Sequence, residues 1–168
     1  MNLKEINETL FAQAKEMRMC DAVHREWYGK IWDADRLADV MYRNLDFCIG
    51  NRWPSRDTLK GLFTDDERHR NGIVADERWS MLNNTFAVVM GRSDAKARYN
   101  AFNVGKIYVF DNSKCEITVK GHASVTIHIY DGASVNVTAQ DKAHVLVVKH
   151  SKSCECSGKG KMTIKECT

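Results

Sequence analysis

The sequence is poor in the features that mark linkers, membrane spans and secreted domains. Its 168 residues include one proline and ten glycines, which argues against a disordered or linker-rich chain. No apolar run approaches the roughly 18 residues of a membrane span. The opening residues MNLKEINETLF carry acids where a signal peptide is basic and then apolar. We therefore expect a folded cytoplasmic protein that does not enter a membrane.

The cysteines follow no recognisable framework. Without a secretory signal, free thiols are expected at Cys20, Cys48, Cys115, Cys154, Cys156 and Cys167. Structural zinc sites normally repeat a C-x₂₋₄-C pair, and this chain has a single C-x-C. His150, Cys154 and Cys156 are thus only weak metal candidates. Cys20 and His24 are four residues apart, but no third ligand or partner follows them at a recognisable spacing, so the sequence predicts no cofactor.

Signatures of catalysis and of nucleic-acid binding are also missing. The GKG at 158–160 lacks the spacing of a phosphate-binding loop and a helix after it. The net charge of +3 is a weak field, and the lysines of the C-terminal end have no aromatic residues among them. We therefore expect a protein that is not an enzyme, and the sequence argues against a nucleic-acid partner.

The N-terminal part has the periodicity of amphipathic helices. One apolar stripe at three- and four-residue steps comprises Leu3, Ile6, Leu10, Ala14 and Met17. Asn2 followed by Glu5 resembles a capping box, and Ser55 is placed to cap a short helix ending near Phe63. The sequence predicts a three- or four-helix cluster in a domain of residues 1–63.

A charged connector is predicted after the helices. The stretch TDDERHRNG, with a turn at Asn71-Gly72, suggests a boundary, so residues 64–83 are assigned to the connector. The apolar run FAVVMG is then expected to form the first strand. The rest of the chain, residues 84–168, is predicted to be a repetitive β domain.

A ten-residue repeat dominates that second domain. Read in blocks from Val104, the second, fourth and sixth places are mostly apolar, and the eighth to tenth hold turn-forming or small residues. The inward set is Gly105, Ile107, Val109, Cys115, Ile117, Val119, Val125, Ile127, Ile129, Val135, Val137, Ala139, Val145 and Val147. An antiparallel β-meander is the alternative, but it usually shows Asn-Gly or Asp-Gly between strands, and only Asp131-Gly132 does so. The constant turn length and the small tenth residue favour a two-sheeted β-solenoid with a twenty-residue coil, in an α+β protein.

The outward positions of such a solenoid differ between its two faces. One face is polar: Glu116, Thr118, Lys120, Asn136, Thr138, Gln140, Cys156, Gly158 and Gly160. The other is rich in rings and apolar groups, and its predicted contact residues are Tyr108, Phe110, His128, Tyr130, Val148 and His150. Monomeric proteins rarely leave such a patch in water. We expect a cover formed by the protein's own helices, by a second copy or by another partner, with the helices slightly favoured.

The helical head with WPS between helices, followed by repeated V-x-V/I units with Asp and Ala at the turns, resembles uncharacterised prophage and mobile-element proteins of gut bacteria. The resemblance implies a phage or mobile-element setting and carries no activity. The function expected is a protein-interaction or assembly module. The alternatives are a small-ligand or metal-binding protein, or an inhibitor of a host defence enzyme.

Overall fold

The computed structural model describes residues 2–167. The chain divides into two compact units, Met1–Asn71 and Gly72–Thr168. The first unit is helical, and the second consists of two parallel sheets that face each other as a β-solenoid. The predicted α+β class, with helices before a solenoid, is confirmed.

Six short helices make up the first unit within residues 2–71. They are α1 (Leu3–Glu16), α2 (Asp21–Trp27), α3 (Ala34–Arg43), α4 (Leu45–Asn51), α5 (Arg56–Leu62) and α6 (Asp65–Arg70). The predicted capping box is present at the start of α1, where Asn2 accepts a hydrogen bond from the backbone of Glu5. The predicted cap at Ser55 is also present, because its hydroxyl accepts from the backbone of Thr58. The helices outnumber the predicted three or four because extra breaks and caps divide the segment.

A buried asparagine organises the core of the helical unit. Asn7 is 3% exposed, and its amide donates to the carbonyls of Leu3 and Trp32, each at 2.8 Å. Its side-chain oxygen accepts from the Trp27 indole at 3.0 Å and from the Trp32 backbone at 2.8 Å. The rings of Trp27 and Trp32 stack with centroids 4.8 Å apart. One polar side chain therefore fixes α1, α2 and the segment before α3, with its hydrogen-bonding groups paired as burial requires.

The strands of the second unit are short and parallel. They are β1 (Ile73–Ala75), β2 (Arg78–Leu82), β3 (Phe86–Met90), β4 (Asp94–Tyr99), β5 (Val104–Val109), β6 (Lys114–Val119), β7 (Ser124–Ile129), β8 (Ser134–Ala139), β9 (His144–Lys149), β10 (Glu155–Lys159) and β11 (Thr163–Glu166). Sheet A has the order β1-β3-β5-β7-β9-β11, and sheet B has the order β10-β8-β6-β4-β2. Within each sheet, neighbouring strands are two apart in sequence and parallel, which excludes a meander.

The stacking of coils follows the predicted spacing of twenty residues. Val125 of β7 pairs with Gly105 of β5 and with Val145 of β9. The inward side chains of both sheets form one buried core, as their alternation predicted. Gly105 has no side chain because the ring of Tyr99 occupies that space, and a Cβ there would lie 2.3 Å from the ring.

The corners of the solenoid explain the turn residues of the repeat. Asp111, Asp131 and Asp141 adopt left-handed backbone conformations, a region that Asp tolerates better than most residues. Carboxylate oxygens of Asp131 and Asp141 accept from the backbone N–H of the residue twenty positions earlier, Asp111 and Gly121, at 3.1 and 3.0 Å. The eighth place of the repeat thus sets the turn and also links one coil to the previous one.

The predicted connector is instead folded structure. Residues 64–83 contain α6, β1 and β2, so the solenoid begins at Ile73 and FAVVM is its third strand. The acidic stretch Asp65–Glu67 is the first turn of α6, where Thr64 and Glu67 form a capping box. Charge patterning suggested a loop, but the same acids favour a helix N-terminus.

The predicted register of the last coil was wrong by one residue. The corner between β9 and β10 spans five residues, 150–154, whereas the corner between β7 and β8 spans four, 130–133. Cys156 and Gly158 therefore pair with the inward positions Val135 and Val137, and Ser157 and Lys159 take the outward positions. The extra residue inverts the face of every side chain in β10, as a one-residue shift of a strand must.

Candidate functional site

The outward side of sheet A carries a contiguous group of rings, called here the ring cluster: Tyr108, Phe110, His128, Tyr130 and His150. The parallel register aligns Tyr108 of β5 with His128 of β7, and His128 with Val148 of β9. Phe110, Tyr130 and His150 directly follow those three strands. Their backbone N–H groups continue the ladder, donating to Val89, Val109 and Ile129 at 2.9 Å each. The predicted contact residues therefore share one face.

The rings form two stacked columns. In the first column, Tyr108 and His128 lie nearly parallel with centroids 4.8 Å apart. In the second, Phe110 stacks on Tyr130 at 4.7 Å and Tyr130 stacks on His150 at 4.2 Å. A twenty-residue coil places identical positions in adjacent strands about 4.8 Å apart, which is also the distance at which flat rings stack. The solenoid backbone thus holds the rings in a fixed arrangement.

His150 joins the two columns. Its Nε2 lies 2.9 Å from Nδ1 of His128, and the two rings meet edge to edge, with centroids 5.2 Å apart and an interplanar angle of 22°. The first column continues beyond His128 with Val148 and not with another ring. A continuous path of ring contacts therefore runs from Tyr108 through His128, His150 and Tyr130 to Phe110.

Burial favours the neutral forms of both histidines. It lowers the pKa of His128 below the ordinary value, and the neighbouring His150 and Lys106 lower it further. Burial likewise lowers the pKa of His150. Both imidazoles bind protons less readily than histidines in water because the charged form loses solvation.

The outward side of sheet B has a different chemistry. Lys96 and Glu116 form an ion pair at 3.3 Å, and Arg78 and Asp94 form another at 3.5 Å. Asn136 lies exposed in the middle of β8. These side chains suit water, whereas the ring cluster exposes only part of its apolar surface: Tyr108, Phe110 and the adjoining Val148 are buried, and His128, Tyr130 and His150 are half-buried. The two outward faces of the solenoid are thus distinct in chemistry.

The weak metal candidates at the C-terminal end lie in different surroundings. His150 belongs to the ring cluster, while Cys154 is buried in a corner with its sulfur 3.1 Å from the carbonyl of Ile129. Cys156 points into the core, and this burial raises the pKa of its thiol. No three His, Cys, Asp or Glu side chains within residues 2–167 are grouped so that they could hold a metal ion.

Cys20 and His24 lie in different surroundings in the helical unit. Cys20 is exposed at the N-cap of α2, and its thiol makes no capping hydrogen bond. The His24 ring packs edge-on against Phe11 with centroids 5.5 Å apart. His24 is therefore a half-buried side chain that packs within the helical unit.

A second, exposed ring pair escaped the sequence analysis. Phe102 is 77% exposed and stacks on His122 with centroids 4.9 Å apart, at the corners before β5 and β7. Val104, which opens β5, is 63% exposed. The spacing of twenty between residues 102 and 122 indicates this stacking, although both residues lie at corners and outside the strand alternation.

Within residues 2–167, no helix has the length and apolar character that crossing a bilayer requires. Comparisons of the chain with protein families, with curated proteins and with solved structures find no match. The geometry of the ring cluster is therefore the feature from which we infer a function.

Proposed function

We propose that this chain is a non-enzymatic protein-interaction or assembly module whose solenoid presents the ring cluster as its contact surface. The observation that carries the proposal is the unbroken path of ring contacts on the outward side of sheet A. Aromatic side chains are enriched at protein interfaces and dominate their energetics.

The rigidity of the surface supports the proposal. Ordering a flexible side chain at an interface costs roughly 0.5–1.5 kcal/mol, and stacking between neighbouring coils has already restricted these rings. Tyr130 and His150 stack at 4.2 Å with an interplanar angle of 5°, and both side chains are half-buried, so part of each is exposed to solvent. A partner would thus bind a surface that is ordered in advance.

The polar face of sheet B supports the choice of surface. Its ion pairs, such as Lys96 with Glu116, are exposed on both sides and contribute little to any contact. A partner burying that face would have to desolvate these charges, whereas the half-buried part of the ring cluster, His128, Tyr130 and His150, is made of rings. The resemblance to prophage and mobile-element proteins adds a phage-associated setting to the proposal, with the cytoplasm as the compartment.

Tyr130→Glu tests the proposal in the full-length chain, with Asn136→Glu on sheet B as the matched control. Sedimentation of each protein first establishes whether the wild type self-associates. If it does, Tyr130→Glu should yield the monomer and Asn136→Glu should sediment as the wild type does, because only the first substitution places a charge among the rings.

If the wild type is a monomer, capture from the native host provides the second part of the test. A partner retained by the wild type and by Asn136→Glu should be lost with Tyr130→Glu. The proposal fails if neither self-association nor any captured partner depends on residue 130 while circular dichroism shows that the fold of Tyr130→Glu is intact.

A further inference from the structure

The contact between His128 and His150 can exist only for certain protonation states of the two rings. The atoms facing each other at 2.9 Å are both ring nitrogens, so the contact is a hydrogen bond only when one of them carries a proton and the other a lone pair. Two neutral imidazoles satisfy this condition, and so does an imidazolium beside a neutral imidazole. Two imidazoliums do not, because both facing nitrogens would then be N–H donors.

We propose that His128 and His150 form a pH-responsive link between the two ring columns, which holds while the pair carries at most one extra proton and opens when a second proton binds. The first proton can be accommodated because it leaves the hydrogen bond in place and strengthens it. The second removes the acceptor and places two like charges at contact distance. The inference concerns the protein alone and does not rest on the proposed function.

Some groups around the two histidines favour their protonation and others oppose it. Tyr108 stacks on His128 and Tyr130 stacks on His150, and tyrosine ring faces favour a cation. Among the charged groups of the neighbouring strands, Lys106 of β5 opposes protonation of His128. Lys165 of β11 lies beside the adjoining Val148 in the strand register. Glu166 accepts a hydrogen bond from the Lys149 ammonium at 3.1 Å. The aromatic faces thus help the pair hold one proton, while the neighbouring lysine and burial oppose two.

The direction of the pH effect follows from the two lowered pKa values. Both histidines bind protons less readily in the folded protein than in the unfolded chain, whose ordinary value is 6.5. Their contribution to stability is therefore complete above that pH and is lost as the pH falls through 6.5 toward the folded values. Because the two sites interact, the folded pair should take up its protons in two separate steps.

Nuclear magnetic resonance of the full-length protein tests the link, with the histidine ring protons followed from about pH 8 to about pH 5 in the presence of a chelator. In the wild type, His128 and His150 should titrate in two steps, and the ring signals of Tyr108 and Tyr130 should shift at the lower step as the columns separate. In His150→Gln, His128 should titrate in a single step at a higher pH than the lower step of the wild type.

The control is His122→Gln, because His122 stacks on Phe102 and not on a second histidine. It should leave both steps of the pair unchanged. An unchanged His128 titration in His150→Gln would overturn the inference. If that variant does not fold, the wild type alone decides, since tyrosine ring signals that stay constant through the lower step would show that the columns do not separate.

Discussion

The helical unit and the solenoid build their cores by different means. In the solenoid, Ile107, Ile127 and Val147 occupy one inward column, and each repeats the environment of the residue twenty positions away. In the helical unit, Asn7 makes hydrogen bonds that occur once and join segments far apart in the chain. A repeated core produces a periodic pattern in the sequence, from which it can be predicted. A core organised by single contacts produces no such pattern.

The two units should also differ in how far a destabilising substitution disturbs the structure around it. A coil of the solenoid contacts the coils on both sides, so a substitution at an inward position disturbs its neighbours in the stack. A substitution at Asn7 leaves particular donors and acceptors unpaired. Three sets of substitutions test this comparison, one in each core and one at the corners of the solenoid.

The largest effect is expected from Ile127→Asp. Ile127 is 0% exposed between the two sheets, and an unpaired carboxylate at such a position costs several kcal/mol. The solenoid should unfold, as measured by circular dichroism and by the midpoint of urea unfolding. Thr138→Asp should be nearly silent, because Thr138 faces outward on sheet B beside Lys159. Equal midpoints for the two variants would contradict the assignment of inward and outward faces.

The next effect is expected from Asn7→Leu. Loss of the Asn7 side-chain oxygen leaves the Trp27 indole N–H and the Trp32 backbone N–H without an acceptor in a buried site. We expect a loss of about 2–5 kcal/mol, measured by urea unfolding with tryptophan fluorescence. The control is Asn51→Leu, because Asn51 is exposed and its side chain donates to the carbonyl of Phe47 one turn earlier in the same helix. A loss below about 1 kcal/mol for Asn7→Leu would mean that the helical core does not depend on this residue.

The smallest effects are expected at the corners, from Gly121→Ala and Ala101→Gly. Both residues have positive φ angles, +69° for Gly121 and 54° for Ala101. Alanine in this region costs about 1–2 kcal/mol, and a Cβ on Gly121 would lie 3.2 Å from backbone atoms of Ala101. Gly121→Ala should therefore lower the urea midpoint, and Ala101→Gly should raise it slightly. Shifts of the same sign would contradict the role given to the corner conformation.

Much of the solenoid could be predicted because each coil carries the same local sequence pattern. The alternation of apolar residues gave the inward faces, and the spacing of twenty gave the stacking of Tyr108 on His128. The shift of the last coil could not be predicted, because one extra residue in the corner 150–154 has no compositional mark. The helix α6 was predictable, because Thr64 and Glu67 have the spacing of a capping box.

The candidate site shows the same limit. Both columns follow from the repeat, but the hydrogen bond between His128 and His150 joins residues that are 22 apart and belong to different columns. His150 stacks on Tyr130 of its own column and also contacts His128 of the other column, where Val148 provides no ring. Side-chain orientation of this kind depends on the folded neighbours and is not contained in a sequence period.

Site-specific photocrosslinking in the native host tests the central claim most directly. A photoreactive phenylalanine analogue would replace Tyr130 in the ring cluster or, in a second protein, Asn136 on the polar face of sheet B. The account predicts intermolecular adducts from position 130, either with a second copy or with another protein, and few or none from position 136. Equal yields from the two positions, or no intermolecular adduct from position 130, would contradict the claim that the ring cluster is the contact surface of this protein.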